Sequence, residues 1–278
     1  MKSYSKTIAI YGYGVVGNAV HTLVQNYANV LIADPFLNYS ISDDDLKQLC
    51  EDDLVCICVN ANSTQNGYDS RSIVSILNNL EMQQCKALIT IKTTISPEQV
   101  NLLLLQYKNL NLAIWPEFLN NDTANTDILK NIHLFGGDMA QTQIFKNFIE
   151  DSTVLRVSPA EAMSMKILWN LFGALKVSFW HSIQNSGFCD IPSIKKKWDS
   201  WVEMYPQGDL NILYKDGKYG YGGKCYPKEV DAYLARHENS LIEAMDELNS
   251  KNRGTSKWQK SDESDFPPIS YYEEPDDN

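Results

Sequence analysis

The chain has 278 residues, 44% of them hydrophobic and 21% charged, enough to bury a core in one large or two modest domains. Its net charge of −11 argues against nucleic acid or an anionic membrane as the main partner. Much of that charge lies between Asp262 and Asp277, so the rest of the chain is nearer neutral.

Thr7-Ile8-Ala9-Ile10-Tyr11 is a continuous apolar, β-rich run, as expected of a strand buried on both faces. Gly12-x-Gly14-x-x-Gly17 follows directly and opens a helical stretch from Val15 to Tyr27. Val30–Ala33 reads as the next strand, with Asp34 at its tip. That order of strand, glycine turn, helix, strand and acidic residue is the setting of a dinucleotide site. Gly12 makes the tight turn, Gly14 lets the backbone approach a pyrophosphate, and Gly17 packs helix against strand. Val15 and Val16 open the helix whose N-terminus holds the phosphates. Asp34 can accept bonds from the adenosine ribose hydroxyls and would repel a 2′-phosphate, which favours NAD over NADP.

Strand-like runs continue at Leu54–Val59, Ala87–Ile91, Leu112–Trp115, Ile132–Phe135 and Thr153–Val157. Amphipathic stretches such as Ser72–Leu80, Pro97–Tyr107 and Met139–Ile149 lie between most of them. The alternation predicts an α/β fold, a Rossmann doubly wound parallel sheet. Ligands in such sheets bind beyond the carboxyl ends of the strands. Lys92-Thr93-Thr94 and Pro116-Glu117-Phe118-Leu119 both stand at such ends, so both are candidates for the site.

Ser158-Pro159-Ala160-Glu161 is a capping box with proline at the first helical position. It starts a helix expected to reach about Ser186, apolar almost all round through Met163, Met165, Ile167, Leu168, Leu171, Phe172, Leu175, Val177 and Phe179, and therefore expected to be buried. Lys166 and Asn170 share one face of it, and Gly173 continues that face with room for a close neighbour. Buried on such a helix, both polar groups need partners; a polar ligand or a satisfied structural pair would serve. In Ile191–Gln207, Trp198 and Trp201 stand behind Lys195-Lys196-Lys197, a pattern that suits packing against the long helix or a dimer mate.

Tyr219-Gly220-Tyr221-Gly222-Gly223-Lys224-Cys225-Tyr226-Pro227-Lys228-Glu229 follows. Its glycines allow close backbone approach to a ligand, and Pro227 suits the first turn of a helix. Cys225 would sit near that helix N-terminus with Lys224 and Lys228 beside it, a setting that favours a thiolate nucleophile. Taken alone, the stretch reads equally as a glycine-rich surface turn. Of the six cysteines, none forms a C-x-x-C pair. Cys56 and Cys58 alternate along an apparent strand and read as buried thiols. The four histidines lack metal-ligand spacing, so no metal is expected. No basic–apolar leader opens the chain, and the run Ile167–Trp180 is broken by Asn170 and Lys176, too short and polar to span a bilayer. A reduced, cytoplasmic protein is the expectation.

Taken in order, the glycine fingerprint, Thr94, Pro116-Glu117-Phe118-Leu119, Ala160-Glu161-x-x-x-x-Lys166-x-x-x-Asn170 and Gly220–Lys228 resemble the UDP-glucose/GDP-mannose dehydrogenases. The resemblance covers roughly Ile8 to Arg253, the NAD domain and central helical domain of that family. It implies that NAD takes a hydride from the primary alcohol of a nucleotide sugar, that Cys225 attacks the resulting aldehyde, and that a second hydride transfer leaves a thioester for hydrolysis to the uronic acid. It implies oxyanion stabilisation by Lys166 and Asn170, acid/base work by Glu117, positioning of water by Thr94 and a cofactor contact by Lys228. Phe118, Leu119, Tyr214 and Gly222 would line the sugar site, and the family pairs as homodimers through its helical domain.

The sequence departs from the family pattern in several places. Glu229 stands for an aspartate in the catalytic set, Asn121 for a second glutamate, Asp209 for an arginine that reaches the neighbouring subunit's site, and Ala61 for a threonine near the cofactor. Where the family continues into a third domain that grips the nucleotide, Gly254–Asn278 is rich in Ser, Asp, Glu and Pro and reads as a disordered acidic tail. The expected division is 1–158 for the NAD domain, 159–252 for a smaller all-α domain and 253–278 for the tail. Two other functions fit the same residues: an NAD-binding subunit that partners a full-length dehydrogenase, and a one-step hydroxy-acid dehydrogenase with Lys166 as proton relay.

Overall fold

The structure is a computed structural model that describes residues 5–65, 67–130, 132–149, 152–185, 190–204, 214 and 216–254. Asp209, Cys189 and the stretch 255–278 lie outside the described residues. The chain divides into two compact units, Met1–Asn62 with Tyr68–Lys166, and Ser63–Gly67 with Ile167–Asn278.

In the first unit the elements run β1 (Thr7–Tyr11), α1 (Val15–Val24), β2 (Asn29–Ala33), α2 (Asp43–Gln48) and β3 (Leu54–Ile57). After the short β4 (Ser63–Thr64) and β5 (Gly67–Tyr68) come α3 (Arg71–Met82), β6 (Leu88–Ile91), α4 (Pro97–Gln106), β7 (Leu112–Ile114), α5 (Ala124–Asp127), β8 (Ile132–Gly136), α6 (Met139–Lys146) and β9 (Thr153–Val157). Among the described residues a seven-stranded sheet has the order β2-β1-β3-β6-β7-β8-β9. Register aligns Ile10 with Ile32 and with Cys56, and Cys56 with Thr90, so the β1, β2, β3 and β6 carboxyl ends finish side by side. The central strands read as unbroken apolar runs because both their faces are covered. On one face Ile8, Ile10, Leu54, Cys56, Leu88 and Trp115 pack with Val20 and Leu23 of α1, Ala124 of α5 and Phe145 of α6. The alternate residues Ala9, Val55 and Ile89 face the other way. There α3 and α4 bury Ile73, Leu77, Val100 and Leu103, and the Tyr107 hydroxyl donates to Asn78 Oδ1 at 2.7 Å. Thr90, polar within a central strand, is satisfied by donating its hydroxyl to Val55 O at 3.1 Å.

The sheet is mostly parallel. It departs from the expected all-parallel reading at β8, which pairs antiparallel with β7 through Ile114 and Gly136 and then parallel with β9. Only the four-residue α5 is helical between β7 and β8. At about 1.5 Å of rise per residue it cannot carry the chain back down the height of the sheet. β8 starts at the end where β7 stops and runs back along it.

α7 (Pro159–Asn185) has 27 residues and begins at the expected capping box, with the Ser158 N–H donating to Glu161 Oε2 at 2.9 Å and the Glu161 N–H to Ser158 Oγ at 3.3 Å. Burial of this helix all round is not what the structure has. Met163, Ile167, Leu171 and Val177 are buried, but Leu168, Trp169 and Phe172 are 60%, 60% and 54% exposed, and Met165 is exposed beside them. These four positions form one stripe at helical spacing. The second unit continues with α8 (Ile191–Met204), α9 (Cys225–Leu234) and α10 (Ser240–Asn252). Trp198 of α8 meets Trp180 of α7 edge to face, ring centroids 5.0 Å apart, so the α8 tryptophan does pack on the long helix. Among the described residues no helix is long and apolar enough to cross a membrane.

Loss of the Ser158 cap is expected to lower stability by about 1 kcal/mol in Ser158→Ala, read as a lower urea midpoint with an unchanged slope.

Candidate active site

Gly12 has φ +86°, the left-handed region that an L side chain resists, and a Cβ there would stand 2.9 Å from the Cys58 carbonyl carbon and oxygen. The turn at the end of β1 is thus pressed against the end of β3. Gly14 caps α1 without a side-chain hydrogen bond, and a Cβ built on it would meet no described atom within 4 Å. The first turn of α1, with Val15, Val16 and Gly17, thus has open space beside its Gly14 cap and carries no acidic residue. That is a fit for the pyrophosphate of a dinucleotide. Asp34 at the tip of β2 is 8% exposed. Its carboxylate accepts the Tyr13 N–H at 2.7 Å and the Phe36 N–H at 2.9 Å, which ties the glycine turn to β2. Carboxylate oxygens have further acceptor capacity for ribose hydroxyls.

A second cluster stands at the carboxyl ends of β6 and β7. Lys166, 3% exposed on α7, meets Glu117 Oε1 at 2.8 Å. Glu117 Oε2 accepts the Leu119 N–H at 2.6 Å, and the Lys166 ammonium lies 5.6 Å from the Phe118 ring centroid. Burial pushes the Glu117 carboxyl up. The Lys166 charge and hydrogen bond, the Leu119 N–H and the Lys92 charge outweigh it and hold the group below the ordinary carboxyl range. Glu117 is consequently an ionised base at neutral pH. Thr94 is buried nearby in sequence at 6% exposure, while its neighbour Thr93 donates to Val59 O at 2.7 Å and fixes the β6 end to the β3 end.

Lys92, a candidate from its place at the end of β6 but given no role there, belongs to this cluster. It is 3% exposed, its ammonium lies 3.6 Å from the Trp115 ring centroid and it donates to Trp115 O at 3.3 Å. Burial pushes its pKa down, partly opposed by Cys56, Cys58 and Glu117. A lysine directly after a buried strand was the signal available for it.

The second unit holds the other candidates. Cys225 is the first residue of α9 and half-buried. Asn170 is 6% exposed and Glu229 1% exposed, with Lys228 Nζ 3.4 Å from Glu229 Oε1. The close neighbour for which Gly173 leaves room is Tyr226, whose hydroxyl lies 2.6 Å from the place of a Gly173 Cβ. The first turn of α9 is therefore laid on the face of α7 that Asn170 and Gly173 share. Tyr214 meets Tyr226 edge to face with centroids 5.9 Å apart, and burial pushes its hydroxyl pKa up to about 12.

The sequence also gave no sign of what holds the glycine loop. Arg253, just past α10 and 5% exposed, donates to Tyr219 O at 3.0 Å and to both oxygens of Asp216 at 3.0 and 3.1 Å. Its guanidinium lies against Gly222, where a side chain would collide with it. Asn249 Oδ1 accepts the Tyr221 N–H at 2.8 Å. Among the described residues no cluster of three or more His, Cys, Asp or Glu is placed to hold a metal.

No family model matches the chain. A UDP-glucose 6-dehydrogenase from Campylobacter jejuni is 26% identical over 206 residues, 66% of this chain and 49% of its own length. A GDP-mannose 6-dehydrogenase from Pseudomonas savastanoi pv. phaseolicola is 27% identical over 229 residues, 75% of this chain and 52% of its own. The chain is thus similar in sequence to named UDP-glucose and GDP-mannose dehydrogenases. It spans about half the length of these curated relatives. Among solved structures, a UDP-glucose dehydrogenase from Pyrobaculum islandicum has the same fold, with a TM-score of 0.70 at 17% identity over 90% of this chain and 69% of that one. A 3-hydroxyisobutyrate dehydrogenase from Mycobacterium tuberculosis shares the fold too, with a TM-score of 0.62 at 14% identity over 88% of this chain and 92% of that one.

Removing the Glu117 charge leaves Lys166 buried without its carboxylate, so Glu117→Gln is expected to cost about 3–5 kcal/mol at pH 7. The folded Glu117 value lies below the unfolded one, about 4.3. The stabilisation is therefore full above that value and is lost as pH falls through the folded value. Urea titrations of both proteins should show the gap narrowing below about pH 4.

Proposed function

We propose that the protein is an NAD-dependent oxidoreductase that converts the primary alcohol of a nucleotide sugar to the uronic acid through a thioester on Cys225. The pair of buried Lys166 and half-buried Glu117, in a chain similar to nucleotide-sugar dehydrogenases, is the observation that carries this reading. NAD, when bound at the Gly12–Gly17 turn, accepts the hydride in each of the two oxidations.

The roles follow from the side chains. Asp34 selects the ribose and the α1 N-terminus binds the pyrophosphate. Lys228 adds a cofactor contact. The Cys225 thiol adds to the aldehyde carbon, forming the C–S bond of a thiohemiacetal whose oxidation leaves a thioester. An ammonium carries three donors, enough for Lys166 to hold Glu117 and still meet a developing oxyanion, with the Asn170 carboxamide as second donor. Glu117, ionised, takes a proton from water as its oxygen attacks the thioester, and the C–S bond breaks to return the thiol. Thr94 positions that water, and Glu229 supports the cysteine end of the site. Phe118, Leu119, Tyr214 and Gly222 line the sugar. The NAD domain is taken as 1–158, the helical domain as 159–252 and the acidic tail as 253–278, in a cytoplasmic homodimer.

For that homodimer the exposed stripe of Leu168, Trp169 and Phe172 on α7 is the contact we assign. Changing Leu168 and Phe172 together to Glu should convert dimer to monomer in size-exclusion chromatography with light scattering. An unchanged dimer would remove this face from consideration.

The decisive assay counts NADH per sugar consumed, with UDP-glucose and GDP-mannose in the panel. Two equivalents are expected, with the second lost in Cys225→Ser. One equivalent with Cys225→Ala fully active points to the hydroxy-acid type of dehydrogenase. NAD binding without turnover across the panel points to a subunit that partners a full-length enzyme.

A further inference from the structure

Cys56 and Cys58 take no part in the chemistry above, yet their sulfurs lie 3.6 Å apart. Two residues apart on an extended chain, they emerge on the same face of the sheet. Cys56 is fully buried and fixed in the ladder between Ile10 and Thr90. Cys58 lies just past the end of β3, half-buried, held by its N–H to Tyr11 O at 2.7 Å. Its peptide is the surface on which the Gly12 turn rests, 2.9 Å from the place of a Gly12 Cβ.

The charges around the pair favour one thiolate. Lys92 and Lys166 bring two ammonium groups to this edge of the first unit, and Glu117 is the carboxylate that both act on. A single negative charge shared by the two sulfurs completes the balance. Burial pushes the Cys56 thiol up, but the Cys58 S–H, the Lys92 ammonium and the Thr90 hydroxyl outweigh it and hold it below its ordinary value. Burial and the neighbouring sulfur push Cys58 well up. A thiolate beside a thiol is the arrangement from which oxidation to a disulfide proceeds.

We propose that Cys56 and Cys58 are an oxidation-sensitive dithiol, a modification site that closes to a disulfide on reaction with a hydroperoxide and thereby weakens dinucleotide binding at Gly12. The shared proton passes to the Cys56 sulfur, and the half-buried Cys58 sulfur attacks the terminal hydroperoxide oxygen and becomes a sulfenic acid, while the O–O bond breaks to release an alkoxide that takes the Cys56 proton. The Cys56 thiolate then displaces hydroxide from the Cys58 sulfur, and a proton from solvent makes it water. Two electrons leave the sulfur pair and reduce the hydroperoxide. The sulfurs must close to about 2.05 Å. Cys56 is held by strands on both sides, so Cys58 moves, and the peptide beneath Gly12 moves with it. Coupling is reciprocal, so bound NAD shifts the equilibrium toward the dithiol.

This coupling rests on the dinucleotide reading, whereas the sulfur chemistry does not. The test uses the full chain carrying Cys50→Ser, because exposed Cys50 would share the tryptic peptide Gln48–Arg71 with the pair. The protein is treated with hydrogen peroxide, alkylated with iodoacetamide, digested and weighed. The expected peptide carries no alkyl group on Cys56 or Cys58, has lost two hydrogens and is restored by dithiothreitol; Cys58→Ser abolishes it. NAD affinity is expected to fall roughly tenfold on oxidation and recover on reduction. Full alkylation of both sulfurs after treatment, or sulfinic acids without a bridge, overturns the proposal. A bridge with unchanged NAD affinity overturns the link to Gly12. Reduced protein that fails to bind NAD overturns the dinucleotide reading instead, and the peptide mass still decides the dithiol.

Discussion

Lys166 sits on a helix whose neighbouring positions are apolar, and an ammonium buried there without a carboxylate would outweigh most single favourable contacts in the fold. Glu117 supplies the carboxylate, and its place is set by the loop that leaves β7: Oε1 takes Lys166 and Oε2 takes the Leu119 N–H. The same carboxylate feels Lys92, which lies over Trp115 at the foot of that loop. One anion thus organises two cations, one just past β6 and one on α7. Such a cluster is stable only when complete, so charge fixes this loop together with the packing of Leu119 on the core.

What the sequence made legible is what is written within a few residues. The glycine fingerprint, the Ser158–Glu161 capping box and the placement of Cys225 at the start of α9 all depend on short-range backbone geometry, and the structure has each of them. The mostly parallel sheet follows from alternation, because each crossover helix returns the chain to start the next strand in the same direction. The reversal of β8 was hidden, since it depends on a segment between β7 and β8 being too short a helix, and helix length at the boundary is weakly encoded.

Long-range partners were the other loss. Nothing near Gly222 announces that Arg253 packs on it, or that Asn249 receives the Tyr221 N–H. The composition of α7 gave a different error. Hydrophobicity on every side reads as burial, but a helix can be apolar all round because one stripe meets its own domain and another is left for a second surface. Leu168, Trp169 and Phe172 are the stripe left exposed on this helix.

The competing enzymatic readings ask different things of these residues. A one-step alcohol oxidation needs a dinucleotide and one group to take the hydroxyl proton, so it would use the Gly12 turn and a lysine and leave Glu117 as a counter-ion. Oxidation to the acid has to bring water to an acyl carbon, and for that it needs a base that is already ionised and a sulfur to hold the acyl group. Burial alone would have made Glu117 a poor base, neutral into the physiological range. Lys166, the Leu119 N–H and Lys92 reverse that, and they do so at the carboxyl edge of the sheet where a cofactor of this fold is expected. Keeping a half-buried carboxylate charged beside a buried ammonium has a stability cost. That cost is easier to understand if the charge is used in hydrolysis than if it only neutralises a lysine that an apolar residue could replace.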